Sequence, residues 1–154
     1  MGKYSKIEYH PSELERARTA LAYGFLNLGM FIQGKYQQSF LAHPPSTPGG
    51  PPAVRTGNLR RSAHTVAYKD GQIIETAGAT PADYSGEIEG EFGVIVGTNT
   101  GYGLFVELGT VHAAARPALV PAQAAGMAQA TRLIGQGAKR YYGRSAVGTG
   151  DGGG

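Results

Sequence analysis

The chain has 154 residues, enough for one domain with a buried core, and its 25 glycines and 9 prolines indicate long irregular segments. It contains no cysteine, which excludes disulfide scaffolds, thiolate zinc sites and cysteine nucleophiles, and it has no apolar run long enough for a transmembrane helix. The net charge of +3 is divided unevenly, because residues 1–67 carry +5, residues 68–110 carry −6 and residues 111–154 carry +4. An acidic middle between basic flanks suits head-to-tail packing of identical copies, and ordinary solvated surfaces are the alternative. The first residues lack the apolar stretch of a secretory signal, so we expect folding in a cytoplasm.

A long helix is predicted to begin near Ser12 and to end before His43. Pro11 precedes it, Ser12 can cap it, and Glu15 three residues later completes a capping box. Two apolar stripes predict that the helix contacts more than one surface; they comprise Leu14, Leu21, Phe25, Leu28 and Ile32, and then Tyr23, Leu26, Met30 and Phe40. The glycines at positions 24, 29 and 34 do not share a face, which indicates close approaches or kinks.

The middle of the chain predicts a loop followed by a small sheet. Residues 43–53 are rich in proline and predict an extended loop, suited to a linker that reaches a neighbouring subunit or to a ligand for a proline-binding module. A short helical turn, 56–62, follows, with Thr56 as its cap and Leu59 facing inward. Asp70-Gly71 predicts a hairpin of strands 62–68 and 73–77. Residues 78–90 predict an exposed excursion, and residues 91–98 a central strand that is apolar on both faces.

The last third predicts helices and a tail. Tyr102, Phe105, Val106 and Gly109 recur at helical spacing and predict a short helix that ends at Gly109. One long alanine-rich helix should follow, with Pro117 and Pro121 in its first turn. We therefore expect one α+β domain over residues 1–144, in which a small antiparallel or mixed β-sheet packs with a long N-terminal and a long C-terminal helix. The glycine-rich residues 145–154 should form a flexible tail.

No pattern in the chain is typical of a catalytic, cofactor or metal site. None of the four histidines lies three or four residues from another histidine or a carboxylate on a credible helix face. The glycine-rich stretch 97–103 lacks the lysine of a phosphate-binding loop. Glu107 stands alone in an apolar stretch; a general base is one interpretation, and a structural ion pair with Arg116 or Arg60 is the preferred one. We expect no enzyme activity, no cofactor and no metal.

Three arginines, Arg55, Arg60 and Arg61, follow the proline loop. They can contact phosphates, or they can pair with the acidic segment 83–91 of a neighbouring subunit. We treat the pairing with a neighbour as a hypothesis about assembly.

Two segments together resemble a known family. The first is Arg55-Thr56-Gly57-Asn58-Leu59-Arg60-Arg61-Ser62, and the second runs from Val96-Gly97-Thr98 through residues 102–110 to Ala115-Arg116-Pro117. Their order is similar to that in the neck and tail-completion (head–tail joining) proteins of long-tailed bacteriophages, the lambdoid tail-component family. The residues that carry the resemblance are Thr56, Gly57, Leu59, Arg60, Tyr102, Phe105, Glu107, Gly109, Thr110, Arg116 and Pro117. The chain departs from the family at Gly103, Leu108 and Ala118, where alanine, an aromatic residue and phenylalanine are usual.

The resemblance implies a virion structural protein, assembled in the host cytoplasm, that forms a homo-oligomeric ring at the head–tail junction. Such a ring, sixfold or twelvefold, would join the head connector to the tail terminator or tail tube, and packaged DNA would pass through its lumen with non-specific contacts. A tail-terminator or minor tail subunit is the alternative within the same class. In a different class, a small basic nucleic-acid-binding protein would use Arg55, Arg60, Arg61 and the cluster from Lys139 to Arg144.

Overall fold

The computed structural model describes residues 10–41, 47–53, 57–84 and 86–147. Its helices and strands, in chain order, are α1 (Pro11–Ser39), α2 (Asn58–Arg61), β1 (Ala63–Lys69), β2 (Gln72–Gly78), β3 (Phe92–Thr98), α3 (Gly103–Leu108), α4 (Leu119–Met127) and α5 (Ala130–Val147). The three strands form one antiparallel sheet. The expected α+β class is therefore confirmed.

Helix α1 begins earlier than predicted and lacks the predicted capping box. Pro11 is its first residue, where a missing N–H costs no intrahelical bond, and His10 is the N-cap residue without a side-chain cap. Ser12 therefore lies inside the helix. Glu15 pairs with Lys69 on β1 instead, and this hydrogen bond raises the pKa of Lys69. The helix ends at Ser39, before His43, as predicted.

Two glycines place α1 between the sheet and α5. A Cβ at Gly29 would lie 2.5 Å from Thr65 Cγ2 on β1, and a Cβ at Gly24 would lie 2.5 Å from the main-chain oxygen of Ile134 on α5. Positions five residues apart are rotated by about 140° around a helix, so these two close approaches lie on different sides of α1. The prediction of close approaches at these two glycines is confirmed, whereas Gly34 has open space around it.

The apolar core lies beside the C-terminal half of α1. Its buried residues are Leu28, Ile32, Tyr36, Phe40, Leu59, Ala63, Ala118, Ala122 and Leu133. The predicted apolar stripe is only partly correct, because Leu14 and Leu21 are exposed. In the N-terminal half of α1 the buried residues are small ones, Ala20, Ala22 and Gly24, which allow the closest approach of neighbouring elements.

The sheet has the order β2-β1-β3, so the prediction of a central β3 is wrong. Strand β1 is central, and its residues 63–67 are all buried. The small or compact side chains of β1 permit packing on both faces, whereas most of β3 is only partly buried. The hydrophobicity of β3 misled the prediction because an edge strand under a helix also needs an apolar face.

The predicted hairpin between β1 and β2 is confirmed. Its turn residues, Asp70 and Gly71, have φ values of 50° and 77°, which is the positive pair that a type I′ turn needs. Arg18 of α1 binds the Asp70 carboxylate at 2.5 Å, so the turn is tied to the helix.

The excursion 79–91, of which Ser85 lies outside the described residues, covers the sheet face opposite α1. His64 Nε2 and the Tyr84 hydroxyl are 2.5 Å apart, and the Tyr68 hydroxyl donates to the Glu89 carbonyl at 2.8 Å. The β3 residues that pair with His64 and Tyr68 of β1 are glycines, namely Gly97 and Gly93. Most of the excursion is exposed, as predicted, but Tyr84 anchors it to the sheet.

The C-terminal region forms two helices, so the prediction of one long helix is wrong. Helix α4 ends at Met127, and the Gln129 N–H donates to the Gly126 carbonyl three residues back, which is the tight turn of a helix end. Glycine favours this interruption because it is a poor helix former. Helix α5 continues to Val147 and so includes the first three residues of the predicted tail; residues 148–154 lie outside the described part.

The described part of the proline loop returns to its own subunit. The Leu41 N–H donates to Pro52, and the Gly49 N–H donates to Ala115, both at 2.9 Å. Residues 42–46 and 54–56 lie outside the described residues. Among the helices that the structure describes, none is long and apolar enough to cross a membrane.

Candidate assembly surfaces

Glu107 of α3 caps the N-terminus of α4. Its Oε2 accepts hydrogen bonds from the main-chain N–H groups of Ala118 and Leu119 at 2.8 and 3.1 Å, and its Oε1 accepts one from Val120 at 2.8 Å. The first N–H groups of a helix have no partners within the helix, and they carry its positive partial charge. A carboxylate from a different element therefore holds α3 and α4 together.

The predicted ion pair of Glu107 is replaced by this cap. Both carboxylate oxygens are used by main-chain amides, while the Arg116 guanidinium donates to the Ala114 carbonyl at 2.9 Å. The sequence singles out Glu107 correctly as a clamp between a short and a longer helix, but it assigns the wrong partner. Amide partners leave no mark in a sequence because every residue except proline has an N–H.

The turn between α3 and α4 explains Gly109, Thr110 and Arg116. Gly109 ends α3 with φ 78°, as predicted, and a Cβ there would lie 2.7 Å from the Ala115 nitrogen. The Thr110 hydroxyl accepts the N–H groups of His112 and Ala113 at 3.2 and 3.1 Å. The Arg116 N–H then donates to Val106 at 2.8 Å.

The prediction that Pro117 lies in the first turn of the helix is wrong, because Pro117 stands just before the N-cap residue of α4, Ala118. Pro121 lies in the first turn of α4, as predicted. The resembling residues from Tyr102 to Pro117 thus build one compact junction of main-chain contacts.

The segment that begins at Thr56 contributes less to this junction. Thr56 and Arg55 lie outside the described residues, and the N-cap residue of α2 is Gly57, with φ 76°. Leu59 is buried in the core, as predicted, and its Cδ1 would lie 3.2 Å from a Cβ at Gly103. Thr98 Oγ1 would lie 2.7 Å from the same Cβ, so an alanine at position 103 would be too close to its neighbours. Arg60 lies against the C-terminal part of α1, where its carbonyl accepts a hydrogen bond from Gln37 at 3.2 Å.

Burial near this junction changes the pKa of Tyr36 of α1. Desolvation raises the pKa of Tyr36 well above its ordinary value, and the charge of Glu107 and the neighbouring Tyr102 add to the shift. Tyr36 therefore stays uncharged in the core.

The outer side of α3 is apolar and exposed. We name Leu104, Phe105 and Leu108 the α3 ridge; their exposed fractions are 62, 58 and 67%. Leu108 is one helical turn from the other two, so the three side chains are neighbours. The Val106 side of the same helix packs against the core. Phe105 and Leu108 thus belong to a surface and not to the fold's interior.

A groove of about 500 Å³ is lined by residues of both α1 and α5. Tyr23 and Tyr141 stack in it with ring centroids 4.9 Å apart. The full lining consists of Tyr23, Leu26, Asn27, Met30, Gly137, Arg140, Tyr141 and Arg144. The second apolar stripe on α1 predicts a further contact surface there, but nothing in the spacing of α5 predicts the tyrosine stack.

The two basic clusters proposed for nucleic-acid binding lie beside different parts of α1. Arg60 lies near Gln37, whereas Arg140 donates to Asn27 at 3.2 Å and Arg16 lies over the Tyr142 ring. Twenty-one helical residues separate Arg16 from Gln37, which corresponds to roughly 31 Å. The described residues contain no group of three histidine, aspartate or glutamate side chains that could hold a metal ion.

No family model, no curated protein and no solved structure matches this chain.

Proposed function

We propose that the protein is a virion structural protein that forms a homo-oligomeric ring at the head–tail junction of a long-tailed bacteriophage. The observation that carries the proposal is the α3 ridge, three large apolar side chains held on a rigid helix and left exposed. Apolar groups in this arrangement are typical of protein–protein contacts. The sequence resemblance supplies the place of assembly, and the ridge supplies a reason for assembly.

The Glu107 cap supports the same role. A surface binds with little loss of conformational freedom when its supporting element is already fixed. Three hydrogen bonds to α4 and the Gly109 turn fix α3 on one side, so the ridge is presented in one orientation. The ring would join the head connector to the tail terminator or tail tube and pass DNA through its lumen. A tail-terminator or minor tail subunit would have the same ring geometry and differs only in its neighbours.

Immunogold labelling of tailed particles tests the function directly. Particles produced from the genome that encodes this chain should carry label at the head–tail junction. Inactivating the gene that encodes this chain should yield separate heads and tails, and these should join when the protein is added back. Label elsewhere on the tail would favour the tail-terminator or minor-tail alternative, and particles without label would contradict the proposal.

Substituting the ridge should abolish joining without unfolding the subunit. Phe105→Ser with Leu108→Ser removes two exposed side chains, each worth about 2 kcal/mol if buried in a contact, so each subunit contact should weaken by roughly a hundredfold or more. Joined particles would be counted by electron microscopy after complementation, and thermal unfolding should stay within a few degrees of the wild type.

Leu14→Ser is the matched control, because Leu14 is also an exposed helical leucine, with an exposed fraction of 54%. It should leave joining intact. If the ridge variant joins heads to tails as well as this control does, the ridge is not a contact surface.

A further inference from the structure

Two surfaces of opposite charge lie on opposite sides of the molecule. The groove between α1 and α5 is basic, and the excursion after β2 is acidic. Helix α5 packs on α1, α1 packs on one face of the sheet, and the excursion packs on the other face through Tyr84 and His64. The helix and the sheet therefore stand between the two surfaces, so that within one copy they cannot meet.

The basic surface combines two arginine side chains with two stacked aromatic rings. Arg140 and Arg144 line the groove beside the stacked rings of Tyr23 and Tyr141. Both arginines are exposed, and within the described part of the chain no carboxylate forms an ion pair with either. The groove thus presents two guanidinium groups beside apolar side chains. This combination suits the binding of carboxylates from an exposed segment of another protein surface.

The acidic surface is exposed, and its main chain is anchored to the sheet. Glu87 and Glu89 are exposed, and neither pairs with a cation among the described residues. The carbonyl of Glu89 is held by the Tyr68 hydroxyl, and the Glu87 N–H donates to the Tyr84 carbonyl at 2.9 Å. The main chain that carries the two carboxylates is therefore fixed before any partner arrives.

We propose that the Glu87–Glu89 segment of one copy binds the α1–α5 groove of the next copy, with the two carboxylates on Arg140 and Arg144. This contact rests on the proposed ring and names a second interface of it, in addition to the α3 ridge. Two different surfaces on opposite sides of a subunit make a head-to-tail contact, which produces a closed ring when the rotation between copies closes. Arg60 and Arg61 are the donors that the sequence predicts for this acidic segment; the groove differs from them because its two guanidinium groups lie beside the stacked rings of Tyr23 and Tyr141.

Charge exchange between the two surfaces tests the contact. Arg140→Glu with Arg144→Glu, and separately Glu87→Lys with Glu89→Lys, should each weaken self-association by about tenfold or more in sedimentation velocity at low salt. An equimolar mixture of the two variants should associate again, because the acidic groove of one then meets the lysines of the other. Lys35→Glu with Arg132→Glu changes the net charge by the same amount outside the groove and should have little effect.

A cysteine pair gives a second measurement, because the chain has no cysteine of its own. Glu89→Cys with Arg144→Cys in one chain should form disulfide-linked ladders beyond the dimer under mild oxidation. Either cysteine alone should stop at the dimer or remain monomeric.

Three results would contradict the contact. The wild-type protein could stay monomeric up to about 1 mM, a concentration at which even weak specific contacts form; the charge variants could associate like the wild type; or the mixture of variants could fail to associate.

A labelled single-stranded oligonucleotide is the competing occupant. Binding of that probe by the wild type and its loss in the Arg140→Glu, Arg144→Glu variant would assign the groove to nucleic acid. If the charge variants still join heads to tails, the result contradicts this contact and leaves the proposed head–tail function intact. If the particles do not contain the chain, the result contradicts the proposed function, and the measurement of self-association in solution still tests the contact.

Discussion

Glu107→Ala should lower the free energy of unfolding by about 3 kcal/mol, the largest loss we expect from a single polar side chain in this protein. The carboxylate accepts three main-chain N–H groups at the start of α4. Its removal leaves those donors without their partner and takes a negative charge from the positive end of a helix. Glu107→Gln should cost less, about 1–2 kcal/mol, because the remaining amide oxygen still accepts hydrogen bonds. Urea denaturation followed by circular dichroism measures both.

Glu89→Gln is the control for Glu107, because its exposed side chain caps nothing in the described structure. It should change the stability by less than about 0.5 kcal/mol. Equal stability of Glu107→Ala and Glu89→Gln would show that the cap contributes nothing. Loss of joining in Glu107→Gln at a temperature where the subunit is still folded would connect the cap to the orientation of the α3 ridge.

Gly24→Ala should destabilise the protein by about 3 kcal/mol although alanine is the better helix former. The new methyl group would lie 2.5 Å from the main-chain oxygen of Ile134 and 2.8 Å from Ile134 Cγ2. A main-chain atom of a packed helix cannot move aside cheaply, so α1 and α5 must separate. The midpoint of thermal unfolding should fall by roughly 6–12 °C, and far-ultraviolet circular dichroism measures it.

Gly34→Ala is the matched control on the same helix. Position 34 has open space around it, so alanine should stabilise the protein by about 0.5–1 kcal/mol through its helix propensity. The two substitutions are chemically identical and should have opposite signs. A stabilised Gly24→Ala variant would mean that α5 does not approach α1 as closely as the structure shows.

Local signals in the sequence predicted most of the elements because their causes are local. The Asp70-Gly71 turn needs two residues that tolerate positive φ, and Gly109 needs the same freedom at a helix end, so both are recognisable without knowledge of the fold. Leu59 was likewise predictable, because a single leucine in a polar helical turn faces the core. The close contacts at Gly24 and Gly29 were predictable too, because glycine lowers the stability of a helix interior unless a neighbouring element needs the space.

Features that depend on distant parts of the chain were not predictable. Strand β3 looked central because hydrophobicity does not report which strand has two neighbours, and the burial of small residues in β1 became evident only in three dimensions. The capping box failed because Glu15 has a better partner in Lys69, 54 residues away. The partners of Glu107 are main-chain amides and the tyrosine stack joins residues from the two ends of the chain, so neither follows from spacing.

The crossing of α1 and α5 has a consequence for biosynthesis. Helix α1 leaves the ribosome before α5, yet the side of it that carries Tyr23 and Gly24 is covered by α5. The nascent chain therefore exposes an apolar stripe on α1 until α5 has been synthesised, and covering this stripe brings together residues more than a hundred positions apart, which is a slow event in folding. A ribosome-bound fragment that ends before Ala130 should recruit holding chaperones, and a fragment that includes α5 should release them.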